Sequence, residues 1–182
     1  MIVLKERTID EVEGFCGWDF LISLTEALDS PLYQGFMATL FETGGRVSEV
    51  LELNKKHFNL ELHPAVIVVE RMPVLKRFEV VEKTPDLQKK KGFRWTTKKL
   101  RDYRYFPIRK GEALVPYLLN WLKAAPSEKL FDFDRFQALK MLRFAGKLLN
   151  KPIPLTRHKR ENRPLKSLEI FPHLLRAERA SQ

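Results

Sequence analysis

The sequence predicts an α+β fold, mostly α-helical with a small antiparallel β-sheet, and three observations carry that expectation. Apolar residues recur at helical spacing towards both ends of the chain. Between them, residues 65–69, 78–81 and 104–108 are β-branched or aromatic runs bounded by turn residues. Glycine and proline fall where one pattern gives way to the next, so the boundaries are marked as well as the elements.

Residues 8–29 place Ile9, Val12 and Phe15, then Phe20, Leu21, Leu24 and Leu28, at helical spacing with a break near Gly17. They read as an N-terminal helical arm (1–29) ahead of a main domain (30–182). Asp29-Ser30-Pro31 joins a capping side chain to a first-turn proline and starts a helix. Residues 32–41 read as a buried helix ended by Thr43-Gly44-Gly45, where glycine tolerates the left-handed backbone of a helix end. A second helix is expected over about 46–53, with Val47, Val50 and Leu51 inward. The three strand candidates are expected to form one antiparallel sheet, with the basic stretch 84–101 as its long loop. Helices return over 112–124 and 133–149, both with apolar residues at i, i+3, i+4 and i+7. Residues 152–164 read as a basic, proline-punctuated loop, and 167–182 as the beginning of another helix.

The bulk properties narrow the function. At 182 residues the chain is long enough for one domain with a real core. No run of about 18 uncharged apolar residues exists, so no membrane span is expected. The N-terminus becomes charged at once, unlike a secretory signal. The single cysteine, Cys16, cannot form an internal disulfide and fits a reducing cytosol. One cysteine and four scattered histidines argue against a structural zinc site, and no metal or cofactor is expected. The net charge is +10 and unevenly spread. Residues 83–110 carry eleven Lys/Arg against Asp86 and Asp102, and residues 150–166 carry six against Glu161. Two concentrated basic segments on a slightly acidic remainder predict a polyanion-binding surface. Phe93, Trp95, Tyr103 and Tyr105 lie among the charges of the first segment, which favours nucleic acid over merely solvated charge.

Two small constellations carry chemistry. In Thr43-Gly44-Gly45-Arg46-Val47-Ser48-Glu49 an arginine opens a helix after a glycine turn. Its guanidinium fork is expected near the positive end of the helix dipole, a good phosphate site, with Glu49 at i+3 orienting it. In His173-Leu174-Leu175-Arg176 an imidazole and a guanidinium share one helix face and point at one spot. Taken singly, each pattern also fits ordinary surface residues.

Taken in order, they resemble a family. Leu40-Phe41-Glu42-Thr43-Gly44-Gly45-Arg46-Val47-Ser48-Glu49-Val50-Leu51-Glu52-Leu53 resembles the first arginine box of tyrosine recombinases (the phage-integrase family). His173-Leu174-Leu175-Arg176 looks like their H-x-x-R box, with a basic hairpin between the two. The resemblance spans residues 31–182, and Ala177 stands where the family often has a second histidine.

What the resemblance implies is site-specific cleavage and rejoining of double-stranded DNA through a 3′-phosphotyrosyl link, without metal, nucleotide or small-molecule substrate. Arg46 and Arg176 would bind the non-bridging phosphate oxygens, and His173 would assist proton transfer or hold an oxygen. Glu49 would support Arg46. A hairpin lysine would protonate the leaving oxygen; Lys76 is favoured, and Lys99 is the alternative because counting from the other side of the hairpin selects it. Lys89, Lys90, Lys91, Arg94, Lys98, Lys99, Arg101, Arg157, Lys159 and Arg160 are the expected duplex contacts. Tyr33, Tyr103, Tyr105 and Tyr117 all precede the H-x-x-R box, so the family's nucleophile is expected beyond residue 182. These residues alone would then bind DNA without cutting it. Full-length members act as tetramers on two DNA duplexes, and a cytoplasmic location on DNA is expected. A recombinase-like module that binds DNA without the reaction is the alternative, and an RNA-binding protein stacking bases on Trp95 and Tyr105 is a third reading.

Overall fold

The computed structural model describes residues 12–13, 17–74, 78–85, 93–99, 102–158 and 163–166. Helix α2 (Pro31–Thr43) is the central element, and from Gly35 to Thr43 every residue is buried. Ser30 stands in extended backbone before it and Pro31 opens it; Gly44 ends it in the left-handed region at φ 54°. That start and stop follow the sequence reading. A buried helix has no polar stripe, so its hydroxyls must bond inward. Thr39 Oγ1 donates to the Gly35 carbonyl at 2.7 Å and Thr43 Oγ1 to the Thr39 carbonyl at 2.7 Å.

Around α2 lie α1 (Trp18–Glu26), α3 (Val47–Val50), α4 (Val115–Ala124) and α5 (Arg135–Leu149). Helix α1 places Phe20, Leu21 and Leu24 in the same buried cluster as Phe36, Met37, Leu40 and Phe41 of α2. The helical arm expected before Gly17 includes Val12–Glu13, which instead form a short strand, β1. Helix α4 sits against α2 at Gly35, where a Cβ would collide with Trp121. Helix α5 is capped by Asp134, whose carboxylate accepts from the Gln137 amide at 2.7 Å while Gln137 Oε1 accepts from the Asp134 amide at 2.9 Å. Phe36, Phe131 and Phe133 meet edge to face at 4.9–6.2 Å beneath these helices.

The strands depart from the expected single sheet. Strands β2 (Phe58–His63), β3 (Val66–Val74) and β6 (Asp102–Arg109) form one antiparallel sheet in the order β2-β3-β6. Strand β2 was not expected: only Phe58 of its residues is buried, so FNLELH lacks the alternation of a half-buried strand. The expected strand at 78–81 is instead β4 (Phe78–Pro85), and among the described residues it pairs only with β5 (Phe93–Lys99). Part of the stretch read as a loop, 84–101, is therefore a strand. The β3–β6 ladder ends at Val74↔Asp102 and the separate β4–β5 ladder begins at Phe78↔Lys99, one residue out of step with it.

The loop expected over 152–164 is also corrected. Residues Pro152–His158 form β7 and Arg163–Lys166 form β8, in a sheet of order β1-β7-β8. Prolines lack the N–H a ladder needs. Here Pro152 and Pro164 stand at paired positions, and Pro154 falls where the pairing shifts between Pro152↔Lys166 and Arg157↔Pro164. Among the described residues helices and strands occupy similar lengths, so the fold is mixed α and β rather than mostly helical. The helix expected over 167–182, and Cys16, lie outside the described residues. No helix among the described residues is long and apolar enough to cross a membrane.

One titratable group reports on the junction into the sheet. A 3-10 turn at Lys55–His57 leads into β2, and His57 Nδ1 accepts from the Asn54 amide at 3.2 Å. Burial pushes the imidazole below its ordinary value of 6.5, and the neighbouring Lys56 and Arg71 charges add to the shift. The folded state therefore favours neutral His57, and its contribution is complete above about pH 6.5 and lost as pH falls below that value. Thermal melts from about pH 8 to about pH 5 should fall more steeply for the wild type than for His57→Gln. Parallel curves would remove His57 from the pH response.

Candidate functional site

The site is built where α2 stops. Thr43 Oγ1, already donating to the Thr39 carbonyl, accepts from the Gly45 amide at 3.2 Å and so fixes the direction of the chain past Gly44. Gly45 is packed against the Met72 methyl and Val50, so a side chain there would have to displace the Met72 tip. The next residue is Arg46, in extended backbone at φ −74°, ψ 149°.

Arg46 is held by one carboxylate at two points. Glu49 Oε2 accepts from the Arg46 amide at 2.9 Å, and Glu49 Oε1 accepts from Arg46 Nη1 at 2.8 Å. The Glu49 side chain is 2% exposed and that of Arg46 30%, so the anion is inside and the cation reaches outward. The sequence reading placed Arg46 at the head of a helix over 46–53. Helix α3 is instead a single turn, Val47–Val50, and one turn of peptide dipoles supplies little field. It is the Glu49 carboxylate, rather than a helix dipole, that positions the guanidinium. Glu42, in the last turn of α2, is a second carboxylate fully out of solvent nearby in sequence.

Sequence reasoning missed a second arginine. In β6, exposure alternates, with Tyr103, Tyr105, Pro107 and Arg109 outward and Arg104, Phe106 and Ile108 less exposed or buried. Arg104 thus stands on the inner face, opposite Met72 of β3 in the ladder. Its Nη2 lies 3.7 Å from Glu49 Oε2 and 3.6 Å from Met72 Sδ, and its guanidinium carbon is 5.9 Å from the Phe106 ring centre. The available signal was an arginine at an inward position of an otherwise alternating strand. On the other face, Tyr105 is 74% exposed and Tyr103 50%, so both rings are open to solvent.

The remaining expected residues divide plainly. Lys76, Lys89, Lys90, Lys91, Arg101, Lys159, Arg160, His173 and Arg176 lie outside the described residues. Arg94, Lys98 and Lys99 belong to β5, and Arg157 belongs to β7, in register with Glu13 of β1. Lys99 is the ladder partner of Phe78, and Lys76 precedes Phe78 by two residues in sequence. The structure therefore places Lys99 in β5 and leaves the choice between the two lysines where the sequence left it.

Comparison with protein-family models, with curated proteins and with solved structures found no match for this chain.

Proposed function

We propose that this chain binds double-stranded DNA as the catalytic-domain part of a tyrosine-recombinase-like strand-exchange protein, working on DNA in the cytoplasm. The observation that carries the reading is the double hold of Glu49 on Arg46, at 2.8 and 2.9 Å, within the sequence that resembles the first arginine box. A guanidinium fixed on its inner side by a buried carboxylate keeps its outer N–H groups for a phosphate oxygen. The two-stranded sheet of β4 and β5 supports the same reading, because β5 contributes Arg94, Lys98 and Lys99 to the most basic part of the chain.

The remaining roles rest on the resemblance alone. Arg176 and His173 complete the phosphate cradle, Lys76 or Lys99 protonates the leaving oxygen, and a tyrosine outside these 182 residues attacks. The full-length protein then works as a tetramer on two duplexes. The alternative is a module of the same fold that occupies DNA without the reaction.

Fluorescence anisotropy with a short duplex tests the binding. Affinity should fall about 10³-fold between 50 and 200 mM salt if about six phosphates are contacted. Arg46→Ala should weaken it by about tenfold at fixed salt. A salt-independent affinity, or a preference for single-stranded RNA, would reject the reading; the open rings of Tyr103 and Tyr105 make that RNA arm worth including. Incubation with duplex should leave no covalent protein–DNA adduct, and recovery of one would overturn the assignment of the nucleophile to a segment outside these residues.

A further inference from the structure

We propose that Arg104 is a further oxyanion-binding residue of the Arg46 site, additional to the Arg176 that the resemblance assigns there. Arg46 and Arg104, ordered on the shared carboxylate of Glu49, then grip the non-bridging oxygens of one phosphodiester. This rests on the reading of Arg46 as a backbone-phosphate ligand and adds a contact that the sequence pattern did not supply.

Three observations lead there. First, the two guanidiniums address the two oxygens of a single side chain: Arg46 Nη1 meets Oε1 at 2.8 Å and Arg104 Nη2 lies 3.7 Å from Oε2. One buried negative charge between two cations leaves the cluster at +1, and both cations are about one-third exposed. Second, the present partners of Arg104 are weak ones. A thioether at 3.6 Å, a carboxylate at 3.7 Å and a ring face at 5.9 Å each fall short of a full charge-assisted hydrogen bond. Its Nε is shut off from solvent and has no acceptor among the described residues. A buried donor left in this state costs stability, and a strong acceptor arriving at the guanidinium offsets that cost. Third, the placement is rigid. Arg104 is opposite Met72 in the β3–β6 ladder, and Met72 is itself fully buried against Gly45, the residue before Arg46. The arginine that precedes α3 and the arginine of β6 are thus held near one another through Glu49 and Met72.

The ligand class is a tetrahedral oxyanion with two free oxygens on one side. A planar carboxylate also suits a single arginine fork, but two forks converging from a helix turn and a strand match oxygens that diverge from one phosphorus. Arg109 supplies the control. It lies on the same strand with the same charge, but on the exposed face away from Glu49.

The test uses the 182-residue chain and inorganic phosphate, exchanged for chloride at constant ionic strength. The side-chain Nε–Hε resonances of Arg46 and Arg104 are followed by ¹⁵N NMR and assigned from Arg46→Lys and Arg104→Lys. The expected result is that both resonances titrate with one apparent constant. Arg104→Gln should weaken the response at Arg46 by about tenfold, and Arg109→Gln should leave it unchanged. A stationary Arg104 signal, or an unaltered Arg46 titration in Arg104→Gln, would overturn the proposal. A parallel duplex titration separates it from the broader reading. If duplex binding is steeply salt-dependent but falls equally in Arg104→Gln and Arg109→Gln, the two-arginine grip is wrong and DNA binding stands. If phosphate couples the two arginines but duplex is not bound, the grip stands and the DNA reading is wrong. Melting curves of Arg104→Gln and Arg104→Lys confirm that the variants are folded, and Arg104→Lys should retain the charge yet lose the joint titration.

Discussion

Glu49→Ala is expected to lower the stability of the chain by about 2 kcal/mol and to disorder the arginine site at the same time. Removing one member of a buried ion pair leaves the other uncompensated, which costs roughly 3–5 kcal/mol when both are inside. Arg46 and Arg104 are each about one-third exposed, and water takes back part of that cost. The backbone adds its own loss, because the Arg46 amide gives up the acceptor it has at 2.9 Å. For a chain of this length about 2 kcal/mol corresponds to a fall of roughly 4–8 °C in melting temperature. Glu49→Gln keeps an oxygen for the amide and should lose about half as much. If Glu49→Ala melts within a degree of the wild type, the carboxylate is not the anchor described above. Duplex binding provides a second measure, since losing an anionic anchor raises the local positive charge while releasing both guanidiniums. Non-specific affinity at low salt should hold or rise, and the share attributable to Arg46, measured with Arg46→Ala in the same background, should shrink.

Gly35→Ala should destabilise the chain by about 3 kcal/mol, against the sign that helix propensity alone would give. In an exposed helix interior alanine is better than glycine by about 1 kcal/mol. Here a Cβ would fall on the Cβ, Cγ and Cδ1 atoms of Trp121, so α2 and α4 must move apart. Those atoms lie at the root of the tryptophan side chain and cannot swing aside like a flexible tip. The indole is further fixed by Nε1 donating to the Leu130 carbonyl at 3.1 Å. Overpacking of this kind typically costs about 1–3 kcal/mol, and here the upper end applies because two helix backbones are displaced. Urea denaturation compares the two chains directly. A stabilised Gly35→Ala would mean that the close approach of α2 and α4 is absent.

The two variants also separate what each level of organisation contributes. Helix α2 was legible because its signals are local: Pro31 at the start, Gly44 at the end and an apolar run between them. The same holds for α4 and α5, whose apolar residues repeat at the helical period. The strands were legible only in part. A two-residue strand such as β1 has no period to read, and it exists because His158 and Arg157 lie across from it. Strand β2 has one buried residue and is made a strand by its neighbour β3. In 152–164 the prolines pointed to a loop, and pairing of β7 with β8 in an irregular register and with the distant β1 overrode them.

At the site, the Arg46–Glu49 pair was determined by sequence alone. Glu49 stands three residues on in the short helix that follows Arg46 and reaches back to it, a local geometry the spacing suggests, and the structure sets the side chains 2.8 Å apart. The tertiary structure decided what that pair faces. Arg104 is far from Arg46 in sequence, and nothing in the spacing brings them together. They meet because β6 pairs with β3, and β3 packs Met72 against the turn that carries Arg46. Local geometry follows from bonds and short-range hydrogen bonds, which a sequence displays. The meeting of Glu49 with a second cation depends on strand register and core packing, which only the folded chain fixes.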